Sequence, residues 1–468
     1  MNSNVRRFGR VLMVIVAVAF GVRVAYVAIA KSGPCRIVTP VKTFVAPSQC
    51  AVGDQIYYNA ASNRLAQGHG FVEPLWSVTH PGQKPPPAAD HPPLTVIALA
   101  PVAWISTHPP VSWITSEPLH DNVREDRYAM VVLGTIVVFL VGLLGRRIGG
   151  DTVGLVAAGI AAITPNMWVN DGLVMSETVT CLVVVGSLLL AFALWDRPTL
   201  PRAFALGALC GLAALSRVEL ILFVPLLGVV VALTVRRAWA DRGVLTAASL
   251  VAALVVIGPW VGFNLARFKD PTFISTNDGI ALLGSNCDPV YYGSAMGLTS
   301  VAGPRDCLQN PPPPGDQSQV SSAYRKEAFT YISHHKSRVP LVVAARIGRT
   351  WGLFRPLDMV TFNVGEGREK WVTRLGIVAY YPTLLAAILG VVVLARRRWW
   401  RELYALLVPA AAVTVGVAVT YGQTRFRAGA EPSLAIFAAV GGVAVVRRLL
   451  SGRDTATSRK DPVLAADR

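Results

Sequence analysis

Asp54 opens the stretch GDQIYYNAASNRLAQGHGF at 53–71, a carboxylate with Tyr57 and Tyr58 beside it just after the first apolar run. Such a carboxylate can cap a helix or take a proton from a hydroxyl. The two roles are compatible, because a helix N-terminus lowers a carboxylate pKa and keeps it ionised. Glu177, in NDGLVMSETVT, and nearby Asp171 either share in such a site or cap the next helix together with Ser176. Arg217 and Glu219, in ALSRVEL, form a local ion pair or an anion contact. Arg425 and Arg427, in TRFRAGAEPSL, contact solvent from a loop or hold a phosphate, to which guanidinium donors fit bidentately. His91, in HPPL, marks a turn or adds a titratable ring. A base with pre-placed cations is what transfer onto a hydroxyl with a phosphate leaving group requires.

These residues must be positioned by membrane helices. The chain has 468 residues, 53% hydrophobic and 15% charged, with a mean hydropathy of +0.48. That is more apolar surface than a soluble core can bury, and the composition predicts an all-α polytopic membrane protein. Apolar runs near 8–30, 128–145, 151–168, 173–195, 202–216, 218–235, 243–266, 374–395, 402–421 and 432–446 predict about ten transmembrane helices. The first has no cleavage site after a short apolar core and is expected to stay as an anchor.

The net charge of +17 is concentrated in arginine-rich turns between alternate helices, so it reports orientation and excludes nucleic acid as the partner. Those turns predict a multi-pass plasma-membrane protein with both termini cytoplasmic. The segment 94–107, LTVIALAPVAWIST, is too short to span and is expected as an interfacial helix. A membrane domain over 1–450 then carries large outer loops at about 31–127 and 267–373, and a disordered cytoplasmic tail follows at 451–468. Asp54, His91, Asp171, Glu177, Arg217, Arg425 and Arg427 all fall on the outer side. Ionisable groups at membrane depth are costly and are kept for function or for pairing. Cys35 and Cys50 lie in the first outer loop and Cys287 and Cys307 in the second, which predicts one bridge in each, against the alternative of free thiols. No cysteine or histidine spacing fits zinc.

Several stretches in order resemble the GT-C integral-membrane glycosyltransferases that use polyprenyl-phosphate sugars, in the branch of the protein O-mannosyltransferases and aminoarabinose transferases. They are Arg23, the 53–71 stretch, HPPL at 91–94, RYAMVVLGTIVVFLVGLLGRRIGG at 127–150, MSET at 175–178, GLAALSRVE at 211–219 and RFRAGAEPSL at 425–434. The resemblance implies Asp54 as general base, Glu177 in the same site, and Arg217, Arg425 and Arg427 at the carrier phosphate. It further implies inversion at the sugar carbon. ALSRVE lacks the proline expected after the arginine, and HPPL has histidine where many members have lysine.

The expected partners are a polyprenyl-phosphate sugar, membrane lipids, and a hydroxyl on an envelope glycan, lipid or protein. No cofactor is required, although Asp54 and Glu177 have the chemistry to share a divalent cation. The rival reading is a transporter or flippase for a lipid-linked saccharide. It predicts repeats and mid-membrane charges, whereas the sequence shows no repeat and one-sided charges.

Overall fold

A computed structural model describes residues 3–32, 35–38, 43–46, 51–76, 80–107, 122–300, 307–308 and 311–458. Each apolar run expected to span is helical. Seven helices are long and apolar enough to cross a bilayer: Arg6–Ala30, Val123–Gly149, Ser176–Asp196, Trp239–Arg267, Lys370–Arg396, Trp400–Val419 and Thr424–Leu450. An eighth span counts if Asp151–Ile163 and Pro165–Asp171 are taken as one helix bent by 59°. The bend falls at Thr164-Pro165, where the proline ring disfavours helix for the residue before it.

The remaining two expected spans, Leu200–Ser216 and Val218–Leu233, are shorter. The first has 17 residues, about 25 Å of helix against a hydrocarbon core of about 30 Å. The second starts with a 3-10 turn over Val218–Leu222 and a π turn over Val224–Val229. They meet at Arg217, whose extended backbone separates them.

The core is built where Val123–Gly149, Asp151–Ile163, Ser176–Asp196, Leu200–Ser216 and the last helix pack through small and β-branched residues. Two further helices, Asp54–Ala66 and Leu94–Thr107, pack together through Tyr58, Ala61, Val96 and Leu99.

Three details differ from the sequence expectation. An antiparallel hairpin, Cys35–Val38 with Thr43–Ala46, interrupts the all-α pattern, because CRIV and TFVA are short and rich in β-formers. The last helix continues to Ser458, into the tail expected to be disordered, since extending a formed helix is far easier than nucleating one. Asp54 is not a cap: Gly53 takes the cap position with φ of 58°, and Asp54 is the first helical residue. Cys287 and Cys307 form a disulfide, while Cys50, and with it the Cys35–Cys50 bridge, lies outside the described residues.

Candidate active site

The site gathers where four distant segments meet: the start of the helix at Asp54, the start of the helix at Ser176, the joint at Arg217, and the 3-10 turn Thr424–Ala430. Arg425 is its centre. Its Nη2 lies 2.8 Å from Asp54 Oδ2, its Nη1 2.7 Å from Glu366 Oε2, and its Nε 3.9 Å from Glu177 Oε1. The same Nε donates to Gln423 Oε1 at 3.1 Å. Arg217 pairs with Glu219 at 2.6 Å and stands 3.7 Å from Glu177 Oε1. Both guanidiniums lie against the Phe426 ring, 4.7 Å from its centroid for Arg217 and 5.3 Å for Arg425. Phe426 thus spaces two like charges that would otherwise repel, and its face favours both.

Glu177 differs in kind from Asp54. It is 1% exposed, and neither carboxylate oxygen has a hydrogen-bond partner among the described residues. Its charge therefore acts across a gap and steadies the two arginines without touching them. Asp54, 30% exposed at its side chain, faces a cavity of about 660 Å3. Arg217, Arg425, His91 and Tyr58 line that cavity with Asp54, and so do the apolar side chains of Ile221, Leu222, Val415 and Val419.

The electrostatics of Asp54 follow from its neighbours. Burial works to raise its pKa, but Arg425 beside it and, to a lesser degree, His91 and Arg217 outweigh that and hold it down to about 2. His91 Nε2 stands 3.8 Å from Asp54 Oδ1. Burial pushes the imidazole pKa down, against the pull of Asp54, which favours the neutral ring. It stacks on Tyr58 at 5.1 Å and meets the edge of Tyr57 at 4.8 Å. Burial raises both phenols, so they act as apolar walls with polar tips.

Two expected members lie elsewhere. Arg427 is turned away from the Asp54 cavity and pairs with Glu431 at 2.7 Å, over the Tyr380 ring at 3.6 Å. Asp171 is sealed in the core, bound by Arg23 Nε at 2.6 Å and by the Thr178 hydroxyl at 2.7 Å. Glu366 was missed by the sequence reading, as was Gln423. The only local signal of Glu366 is the run GEGREK at 365–370, charged residues with paired glycines just before an apolar helix. Gly367, at φ of 87°, admits Glu366 to the site, because a Cβ there would meet the Gln55 side-chain nitrogen at 2.6 Å. Among the described residues no three His, Cys, Asp or Glu side chains gather as metal ligands. The Arg425 guanidinium lies between Asp54 and Glu177, the two carboxylates with the chemistry to share a divalent cation.

Comparison with known proteins places this geometry. The sequence profile of the dolichyl-phosphate-mannose-protein mannosyltransferases matches residues 108–263. No curated protein matches the chain. Among solved structures, it is similar to the oligosaccharyltransferase AglB of Archaeoglobus fulgidus in complex with an inhibitory peptide and a dolichol-phosphate, with a TM-score of 0.53 at 15% identity, covering 98% of this chain and 52% of that one. It is likewise similar to the apo form, with a TM-score of 0.53 at 15% identity, covering 96% of this chain and 52% of that chain. The chain thus spans about half the length of these enzymes. What it shares with them is the fold.

Proposed function

We propose that this protein transfers a sugar from a polyprenyl-phosphate donor to a hydroxyl on an envelope glycan, lipid or protein, at the extracytoplasmic face, with inversion. The observation that carries this reading is the Asp54–Arg425 pair in a cavity that apolar side chains, Ile221, Leu222, Val415 and Val419 among them, also line. One cavity then accommodates an acidic head and a greasy tail. The arginine-rich turns at the opposite helix ends support the outer placement, with both termini inside. The dolichol-phosphate held by the archaeal enzyme supports a lipid-phosphate donor.

In this mechanism the donor phosphate lies against Arg217 and Arg425, with the sugar carbon toward Asp54. The acceptor oxygen attacks that carbon from the side opposite the phosphate. Its proton passes to Asp54, and the electron pair of the breaking carbon–oxygen bond goes to the phosphate. The arginines bind the phosphate more strongly as its charge grows, which lowers the barrier. In this structure Arg425 ties up the base. When its Nη2 turns to the phosphate, Asp54 is released and its pKa rises into a range useful for catalysis. Glu366 keeps Arg425 in place through that exchange, bonded to the other terminal nitrogen.

The test is a deletion strain analysed for lipid-linked sugars and envelope glycans. Accumulation of one polyprenyl-phosphate sugar with loss of one glycan linkage is expected. An unchanged lipid-linked pool and an unchanged envelope would overturn the reading.

A further inference from the structure

Arg425 has a second side. Behind it lies a smaller cavity of about 40 Å3, also lined by Arg368, Arg427, Asn363 and Thr424. About 10–15 Å3 of such space holds one water, so this one holds roughly three oxygen-sized groups, the head of a single phosphate. The helix Lys370–Arg396 contributes Val372, Ile377 and Tyr381 to its lining, beside Thr373 and Tyr380. On that helix Trp371, Leu375 and Val378 are 56%, 46% and 68% exposed, so the cavity adjoins a face suited to hydrocarbon.

The charges around this cavity are unequal. Arg427 is matched by Glu431, and Arg425 by Asp54 and Glu366. Arg368 is 5% exposed. Its Nη2 donates to Asn170 Oδ1 at 2.8 Å, but its Nη1 has no hydrogen-bond partner among the described residues. No described carboxylate comes within 4.0 Å of it; Glu177 and Glu366 act on it from farther away. A guanidinium kept out of water without a direct counter-ion is costly, and such a group calls for a ligand.

We propose that Arg368 and the cavity behind Arg425 form a second phosphate seat, which takes the phosphate monoester left on the prenyl chain after transfer. This deepens the proposed function and rests on its lipid-phosphate donor. The charge difference between donor and product gives the seat its direction. The donor is a phosphodiester with one negative charge, whereas the product is a monoester with about −1.5 to −2 at neutral pH. A seat with an under-matched cation prefers the product. Arg425, reaching both cavities, hands the phosphate from one to the other and returns to Asp54 as the product moves off.

Equilibrium binding of radiolabelled farnesyl phosphate to the full-length detergent-solubilised chain tests this. Two molecules per chain are expected. Arg368→Gln should weaken one of them about tenfold, the value of one charge-assisted hydrogen bond, and Arg368→Lys should largely restore it. Arg217→Gln should weaken the other. If Arg217→Gln abolishes binding and Arg368→Gln leaves it as in the wild type, the second seat falls while the donor reading stands. If Arg368→Gln weakens binding and Arg217→Gln does not, the seat stands and the donor placement falls. Inorganic phosphate should displace the Arg368-dependent molecule only at far higher concentration; displacement at matching concentration would make this a free-phosphate site and remove its role in lipid release.

Discussion

Replacing Asp54 with asparagine separates catalysis from structure. The side chain keeps its shape, and its amide oxygen still accepts from Arg425. What it loses is the negative charge and the ability to take a proton. The structural cost follows from the pKa, held at about 2 against an ordinary 3.8. That difference corresponds to roughly 2.4 kcal/mol, which the 30% exposure of the side chain reduces to about 1–2 kcal/mol. Because the folded-state pKa is depressed, this stabilisation is present above the unfolded value and is lost as pH falls from about 4 toward 2. At neutral pH Asp54→Asn therefore forfeits about 1–2 kcal/mol, and Glu366 still neutralises Arg425. Membrane abundance should be near normal.

Turnover should fall about 10²- to 10⁴-fold, the usual contribution of a positioned base. The assay is transfer from a polyprenyl-phosphate sugar by purified protein, with kcat and KM followed over pH. In the wild type, kcat/KM for the donor reports the free enzyme, where Arg425 holds Asp54, and its acid limb should lie below about pH 4. The kcat profile reports the donor complex, where Asp54 is released, and its acid limb should lie at higher pH. Coincident limbs would refute the release of the base by Arg425. A variant that retains more than about a tenth of kcat would remove Asp54 as base, and one absent from the membrane would make Asp54 structural.

The remaining predictions concern the frame. Gly367→Ala forces a side chain onto φ of 87° and against Gln55; it should cost about 1–3 kcal/mol and lower kcat by displacing Glu366, whereas Gly365→Ala, with nothing within 4 Å, should do neither. Burial and the neighbouring Glu73 raise Asp90 to about 7, so the contribution of Asp90 to stability should be fully present below about pH 4 and be lost as pH rises through 7; Asp90→Asn should flatten a melting profile taken from pH 5 to 8. A Cys287→Ser, Cys307→Ser double variant opens a loop with a sequence separation of 20 and should cost about 3 kcal/mol, read as earlier proteolysis within 267–373 under non-reducing conditions.

Much of this arrangement was legible because membrane location makes charge conspicuous. Asp54, Glu177, Arg217 and Arg425 stood out as ionisable groups at apolar helix ends, and the structure brings those four together. Glu366 did not stand out, since a carboxylate in a charged turn is ordinary there. It reaches Arg425 only because the loop at 366–369 folds back over the start of the helix at Asp54, where Gln55 bonds the Glu366 carbonyl at 3.3 Å. A contact across that sequence distance has no local pattern to announce it, and only the left-handed glycine beside it leaves a trace.

Arg427 is a different case, because its departure follows from local geometry. Residues two apart on a helix do not share a face, and in a 3-10 turn, with three residues per turn, they point about 120° apart. TRFRAGA forms such a turn. If Arg425 faces Asp54, Arg427 must face away, and there it meets Glu431 and Tyr380. The turn thus divides one RFR triplet: Arg425 pairs with Asp54 and Glu366, while Arg427 fixes the turn to the last helix through Glu431, with Phe426 between them against Arg217. Exchanging the two roles by moving the triplet one residue would place Phe426 against Asp54 and both arginines on its flanks. The order Arg-Phe-Arg, more than the count of its charges, therefore determines which cation the site receives.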